Sequence, residues 1–401
     1  MGRGDIVKQE GRCGVTFPRG FRVASARAGL YPDADRDDLV ILAAEKPVVT
    51  AAVFTTNRFV AAPISYCRDL YRDRRRFRAV VANAGNANCG TGRAGEEIVH
   101  ATARVAAEGL GTVEEEILVA STGVIGRVPP REQLLAGVSR CLERLAAEPD
   151  PTAAEKAARA LMTTDTVPKL TERESESVRW GGMAKGAGMI HPCMATMLAF
   201  ITTDAVADPD TADRTLRAVV DRTFNTISVD NDMSTNDMVL LMASGASGKK
   251  PATFEEDLEM ICRDLAEQIV RDGEGATRVA RIVVSGAVSE KEARRIADAI
   301  GTSFLFKTAL HGGDPNWGRI LAAVGRSGVA VDPENVSISI GENLLFRNGE
   351  PCAENQEKCL RAMREKVVVV TVNVGRGHGE WTHLTCDLSK EYVTINADYT
   401  T

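Results

Sequence analysis

KGAGMIHPCMATMLAFITTDA, residues Lys185 to Ala205, is the stretch on which the reading of this chain turns. A Gly-rich approach runs into the apolar segment MLAFI, and Thr196 stands at the junction. A threonine hydroxyl attacks a carbonyl only when a base takes its proton. A chain break immediately before Thr196 would create that base. The new α-amino group has a reference pKa of roughly 7.7 to 8.0 and belongs to the same residue as the hydroxyl. Ala195 is small enough to let the hydroxyl reach the carbonyl ahead of it, and MLAFI reads as a buried strand that would hold the new terminus still. The tetrapeptide Ala-Thr-Met-Leu is also ordinary strand vocabulary, so by itself it does not separate a nucleophile from a core strand.

The rest of the chain is written like a compact enzyme. Its 401 residues exceed one ordinary core and imply two lobes or domains. The 49 basic and 55 acidic residues, net charge −6, are well mixed and leave no basic footprint for nucleic acid. The longest apolar run, VVVVTVNV at Val367 to Val374, falls far short of the ~20 residues that span a bilayer. The start, MGRGDIVKQEGRCG, has no apolar signal-peptide core. A cytoplasmic location and no membrane partner are expected. Nine cysteines (Cys13, Cys67, Cys89, Cys141, Cys193, Cys262, Cys352, Cys359, Cys386) are scattered without a C-x-x-C pair, which favours free thiols over disulfides or zinc.

Strand and helix patterns alternate without repeats. Thr50 to Phe59, Arg78 to Ala84, Ala280 to Val284, Ser303 to Lys307 and Val367 to Val374 read as strands. Apolar spacing of three and four predicts helices at Gly95–Gly109, Pro130–Ala147, Thr152–Met162, Thr211–Thr223, Glu255–Arg271 and Ser289–Ile300. Lys169 to Arg179 reads as a polar stretch leading into the Gly-rich approach, and the closing YVTINADYT alternates like a strand. Mixed α/β is the class these patterns support; strand order does not follow from them.

Acyl transfer needs donors for a negative tetrahedral oxygen. In STGVIG, Ser121 to Gly126, Thr122 offers a hydroxyl and Gly123 lets a backbone N–H approach closely, although a Ser-Thr-Gly turn after the strand ILVAS can equally be a plain strand-ending turn. Lys185 reads either as a solvated loop lysine or as an anchor for a carboxylate. KGAG and SGASGKK, near Ser244 to Lys250, do not fit the phosphate-loop pattern. Asp230, Asp232 and Asp237 in SVDNDMSTND lack the Glu that closes a calcium loop, and the segment is read as core and loop architecture near the site. His191 could serve as a base, but a tethered amine makes a structural role the better reading. Asp314, Asn316, Trp317 and Arg319 of DPNWGR are read as a structural turn and lobe contact.

Several further segments stand in a fixed order: NAGNANCGTG (Asn83 to Gly92), STGVIG, MTTDT (Met162 to Thr166), GMAKGAGMIHPCMATMLAF (Gly182 to Phe200), FNTISVDNDMSTND (Phe224 to Asp237), GEGAT (Gly273 to Thr277), DPNWGRILAAVG (Asp314 to Gly325) and YVTINADYTT. Together they resemble the ArgJ family, the glutamate N-acetyltransferases also called ornithine acetyltransferases, over nearly the whole chain. The resemblance implies a layered self-processing fold of the DmpA/ArgJ kind, with sheets packed and helices outside. It implies an α fragment, 1–195, and a β fragment, 196–401, produced by cleavage between Ala195 and Thr196 and assembled as an α2β2 heterotetramer. It assigns Thr196 as nucleophile, Thr122 and Gly123 as the oxyanion hole, and Thr163, Lys185, Thr196, Glu274, Asn396 and Thr401 as substrate-binding. Glu274 is apt for an ammonium group. The implied reaction moves acetyl from N-acetylornithine to glutamate through an acetyl-threonine ester, with no cofactor and no metal. Acetyl-coenzyme A as a second donor would depend on pocket shape. Cys193 stands where the family usually has Asn, and NANCGTG replaces the commoner NANACTG; neither touches a proposed catalytic group, though the first could alter the cleavage rate. Two other functions stay open: an aminopeptidase or amidase of the related self-processing fold, and a non-catalytic binding protein.

Overall fold

The computed structural model describes residues 12–31, 35–147, 150–191 and 197–398. Ala195, Thr196, Thr401 and Cys193 therefore lie outside the described residues. Along the first part of the chain run β1 (Phe21–Ala26), β2 (Leu39–Phe54), α1 (Ala62–Asp73), β3 (Arg76–Asn83), α2 (Gly92–Leu110), β4 (Ile117–Ser121), α3 (Arg131–Ala146), α4 (Ala153–Leu161), β5 (Lys169–Ser175) and β6 (Val178–Lys185). Then come β7 (Leu198–Thr203), α5 (Pro209–Arg222), β8 (Ile227–Ser228), β9 (Met238–Ala243) and α6 (Phe254–Arg271). The last part holds β10 (Val279–Ala287), α7 (Glu290–Gly301), α8 (Phe304–Gly312), α9 (Trp317–Arg326), β11 (Ser337–Ile340), β12 (Asn343–Arg347), β13 (Glu350–Pro351), α10 (Gln356–Ala362), β14 (Val367–Asn373), β15 (Gly379–Cys386) and α11 (Lys390–Asp398).

Among the described residues these strands form two mixed sheets with helices outside them. The first runs β4-β3-β2-β9-β7-β6-β5, with β1 paired to β2. One face packs on α1 and α4 through Leu42, Val80, Phe200 and Leu240. The other packs on α2 and α3 at one end, through Ile41 and Val81, and on α5 and α6 at the other, through Ile201 and Leu241. Burial on both faces explains why β7, LAFITT, opens with four apolar residues and is buried throughout. The second sheet, β13-β12-β11-β14-β10-β15-β8, packs one face on helices α7, α9 and α10. Its strand β14 buries alternate valines, Val368, Val370 and Val372. The strand before the expected cleavage point, β6, pairs antiparallel with β7 just after it. Segments 1–195 and 196–401 are thus interleaved in one sheet.

Several expected elements differ. Ser303 to Lys307 is not a strand: Ser303 caps α8 by accepting from the Phe306 amide at 3.3 Å, and Phe306 and Leu310 turn inward while Phe304 and Leu305 face solvent. The tail is not a strand either; Lys390–Asp398 is helix α11, with none of its residues buried. The strand read as Thr50 to Phe59 begins earlier, at Leu39, and ends at Phe54. Lys169 to Arg179, read only as a polar stretch, is the hairpin β5–β6, turning through Glu176 (φ 52°) and Ser177 (φ 61°). Two successive positive φ values match the twist of a tight hairpin but normally call for Asn or Gly, so the sequence carried no turn signal there. The described cysteines are free thiols.

Candidate acyl-transfer site

The end of β4 delivers Thr122. Its amide donates to the Asn83 carbonyl at 2.9 Å, fixing the turn against β3. Gly123 has φ 127°, and a Cβ there would lie 2.4 Å from the carbonyl carbon of Gly85 and 2.5 Å from the Asn86 nitrogen. Only glycine fits so close a backbone approach. From the opposite side Asn236, buried, donates its amide to the carbonyls of Ala87 (2.7 Å) and Ser121 (2.9 Å), tying the NANCGTG loop to this turn.

β6 ends on Lys185, whose side chain is buried and whose Nζ donates to Thr122 Oγ1 at 3.4 Å. Burial pulls its pKa below the ordinary lysine value; Asp165 opposes that shift, Lys169 adds to it, and Asp237 and Glu274 oppose it. The approach that follows is held by carboxylates. Asp165 Oδ1 accepts from the Gly186 amide at 2.6 Å. Asp230 accepts from the Met189 and Ile190 amides, the second at 2.9 Å, and burial pushes its pKa up to about 6. Asp237 Oδ1 accepts from the amide of Met197 at 3.0 Å, the residue after Thr196. Burial pushes the Asp237 pKa well above the usual carboxylate range. The three aspartates of SVDNDMSTND are therefore not a calcium loop: Asp230 and Asp237 hold backbone on either side of the expected cleavage point.

Glu274 enters from the loop after α6, its amide donating to the Ala187 carbonyl at 2.9 Å. Helix α11 brings Asn396, whose Nδ2 donates to Glu274 Oε2 at 2.7 Å. Ser389 Oγ, donating to the Gly275 carbonyl at 2.7 Å, anchors the base of that helix.

These groups surround one cavity with about 540 Å³ of empty volume, lined by Thr122, Gly123, Thr163, Lys185, Glu274 and Asn396 together with residues that the sequence reading left out, among them Gly188, Ser234, Thr235 and Asn236. Six of the expected site residues thus converge; Thr196 and Thr401 lie outside the described residues. His191 does not line the cavity. Its buried Nδ1 has no hydrogen-bond partner among the described residues, and burial lowers its pKa against the pull of Asp298 and Asp232. Asn316 caps α9 at 3.0 Å, Arg319 donates to the Leu305 carbonyl at 2.8 Å, and Trp317 stacks on Phe346, so DPNWGR is structural as read. A hydroxyl and a glycine amide on one wall, with a cation, a carboxylate and an amide on the others, can bind an amino acid and stabilise a developing oxyanion. Ser234 to Asn236 carried a weak signal, a run of small polar residues before an apolar strand.

The model of the ArgJ family matches residues 22–401. The arginine biosynthesis bifunctional protein ArgJ of Thermus thermophilus is 47% identical over 388 residues, 96% of this chain and 100% of the relative. The glutamate N-acetyltransferase of Methanocaldococcus jannaschii is 44% identical over 406 residues, 97% of this chain and 98% of the relative. The crystal structure of arginine biosynthesis bifunctional protein ArgJ from Bacillus halodurans is 42% identical, covers 50% of this chain and 98% of its own, and superposes with a TM-score of 0.49. The chain belongs to the ArgJ family, acyltransferases of arginine biosynthesis.

Proposed function

We propose that this chain cuts itself between Ala195 and Thr196 and then moves acetyl from N-acetylornithine to glutamate through an ester on Thr196. The observation that carries this reading is the convergence of Thr122, Gly123, Thr163, Lys185, Glu274 and Asn396 on one cavity. The Thr196 oxygen attacks the acetyl carbonyl while the freed α-amino group takes the hydroxyl proton. The oxyanion meets Thr122 Oγ1–H and the Gly123 amide. Collapse breaks the C–N bond, the same amine returns the proton to the leaving nitrogen, and ornithine departs. The neutral α-amino group of glutamate then attacks the ester carbonyl, its proton passes through the Thr196 amine to Thr196 Oγ1 as the ester C–O bond breaks, and N-acetylglutamate departs with the hydroxyl regenerated. Lys185 pairs with the substrate carboxylate, Glu274 with its ammonium group, and Asn396 and Thr401 complete the amino-acid contacts.

The cycle uses no cofactor; acetyl-coenzyme A would enter as a second donor to the same hydroxyl. Fragments 1–195 and 196–401 would stay together, since β6 and β7 are neighbours in one sheet, and pair as α2β2. Incubation with N-acetylornithine and glutamate tests the reading: N-acetylglutamate with stoichiometric ornithine supports it, and release of acetate alone would assign the hydrolytic alternative.

A further inference from the structure

Behind the cavity lies a buried row of alternating charges, Asp272, Lys169, Asp165 and Lys185, of which only Lys185 lines the cavity. Asp272 Oδ2 accepts from Lys169 Nζ at 2.6 Å, and Lys169 Nζ donates to Asp165 Oδ1 at 2.7 Å. Asp165 Oδ2 lies 4.0 Å from Lys185 Nζ, and Lys185 Nζ donates to Thr122 Oγ1. The side chains of Lys169, Asp165 and Lys185 are 0%, 1% and 3% exposed. Taking three charges out of water costs more than their pairing reliably returns, so stability is a poor reason for the row. Asp165 also accepts from the amides of Thr163 and Gly186, and so touches two segments of the cavity wall as well as Lys185.

The end of the row gives the reason. A hydroxyl has one hydrogen to donate and lone pairs to accept. With a Lys185 N–H directed at Thr122 Oγ1, that oxygen is occupied as an acceptor, and its own hydrogen is left for another partner. In the acyl-transfer reading that partner is the oxyanion.

We infer that Asp165 is a positioning residue of the acyl-transfer site, holding Lys185 so that the lysine orients the Thr122 hydroxyl toward the oxyanion, with Lys169 and Asp272 bracing Asp165 from behind. The inference rests on the acyl-transfer reading for its purpose, but the coupling itself is a property of the folded protein. The charged groups facing Lys185 are Asp165, Lys169, Asp237 and Glu274. Removing the Asp165 anion should make Lys185 lose its proton at lower pH, and removing the Lys169 cation should make it lose its proton at higher pH.

The experiment uses the full-length protein with ¹³C-labelled lysine, in Asp165→Asn and Lys169→Met variants, with the Lys185 signal assigned by its loss in Lys185→Met. We expect the Lys185 titration to move down in the first and up in the second. Acetyl-transfer kcat in Asp165→Asn should fall by at least about tenfold and by no more than the roughly 10²- to 10³-fold that outright loss of an oxyanion donor costs, with KM changing less. Opposite shifts are not what general structural damage produces, and either folded variant alone gives a signed result. A Lys185 titration unchanged in a folded variant, or moved the same way in both, overturns the inference. A wild-type protein without transferase activity would instead overturn the functional reading and leave the titration standing.

Discussion

Gly188 and Glu274 are packed backbone against carboxylate: a Cβ on Gly188 would lie 2.2 Å from Glu274 Oε1. The glycine is what lets the Glu274 carboxylate stand where Asn396 meets it. Gly188→Ala should displace Glu274 and weaken its pairing with an ammonium group, a charged hydrogen bond of ~1.5 to 3 kcal/mol. The expected outcome is a rise in KM for N-acetylornithine, whose side-chain ammonium stays free, of roughly 10- to 100-fold, with kcat much less affected, read from steady-state kinetics.

Thr122→Ala removes the hydroxyl that Lys185 is aimed at while leaving the amide that holds the turn. Loss of one oxyanion donor typically costs ~10² to 10³ in kcat. Thermal unfolding should stay close to wild type, and an unchanged turnover would remove Thr122 from the reaction.

Asn236→Ala leaves the carbonyls of Ala87 and Ser121 without their donor. Unsatisfied buried groups cost ~1 to 3 kcal/mol, so urea unfolding should show a loss of that order. Because the same bonds fix the turn that carries Thr122 and Gly123, the proposed oxyanion donors, kcat should drop as well; a variant of full stability and full activity would show that the tie is dispensable.

His383 is fully buried, and burial pulls its pKa down to about 3, with His191, Lys307 and Arg294 adding to the fall. The folded state thus keeps the imidazole neutral where the unfolded chain, near the ordinary value of 6.5, takes up a proton. Stability should be intact above about pH 6.5 and drain away as pH falls toward about 3. In His383→Gln the urea midpoint should depend less steeply on pH over that window; an identical slope would assign the acid sensitivity elsewhere.

How far the sequence was legible follows from particular residues. MLAFI and ILVAS announce their strands because burial on both faces requires continuous apolar side chains, VVVVTVN because its β-branched run suits a strand even though only alternate valines are buried, and the long helices show their stripes. Ser303 to Lys307 misleads because SFLFK is apolar enough for a strand, and only the capping serine marks the helix. The tail misleads because α11 buries nothing, so neither period is enforced; its place is set by Asn396 on Glu274 and Ser389 on Gly275. Most of the site was legible as motifs, Thr122, Lys185 and Glu274 among them. Asp165 and Asn236 were not, since their roles are hydrogen bonds across 21 and 115 positions of chain, and neither leaves a local pattern.

The central claim is that acetyl rests on Thr196 at the start of a second fragment. Intact mass and N-terminal sequencing after incubation with N-acetylornithine alone test it most directly. The account predicts two fragments, the second beginning at Thr196 and heavier by one acetyl group, which glutamate then removes. A single uncut chain that still transfers acetyl, or a second fragment that never carries it, would contradict the account.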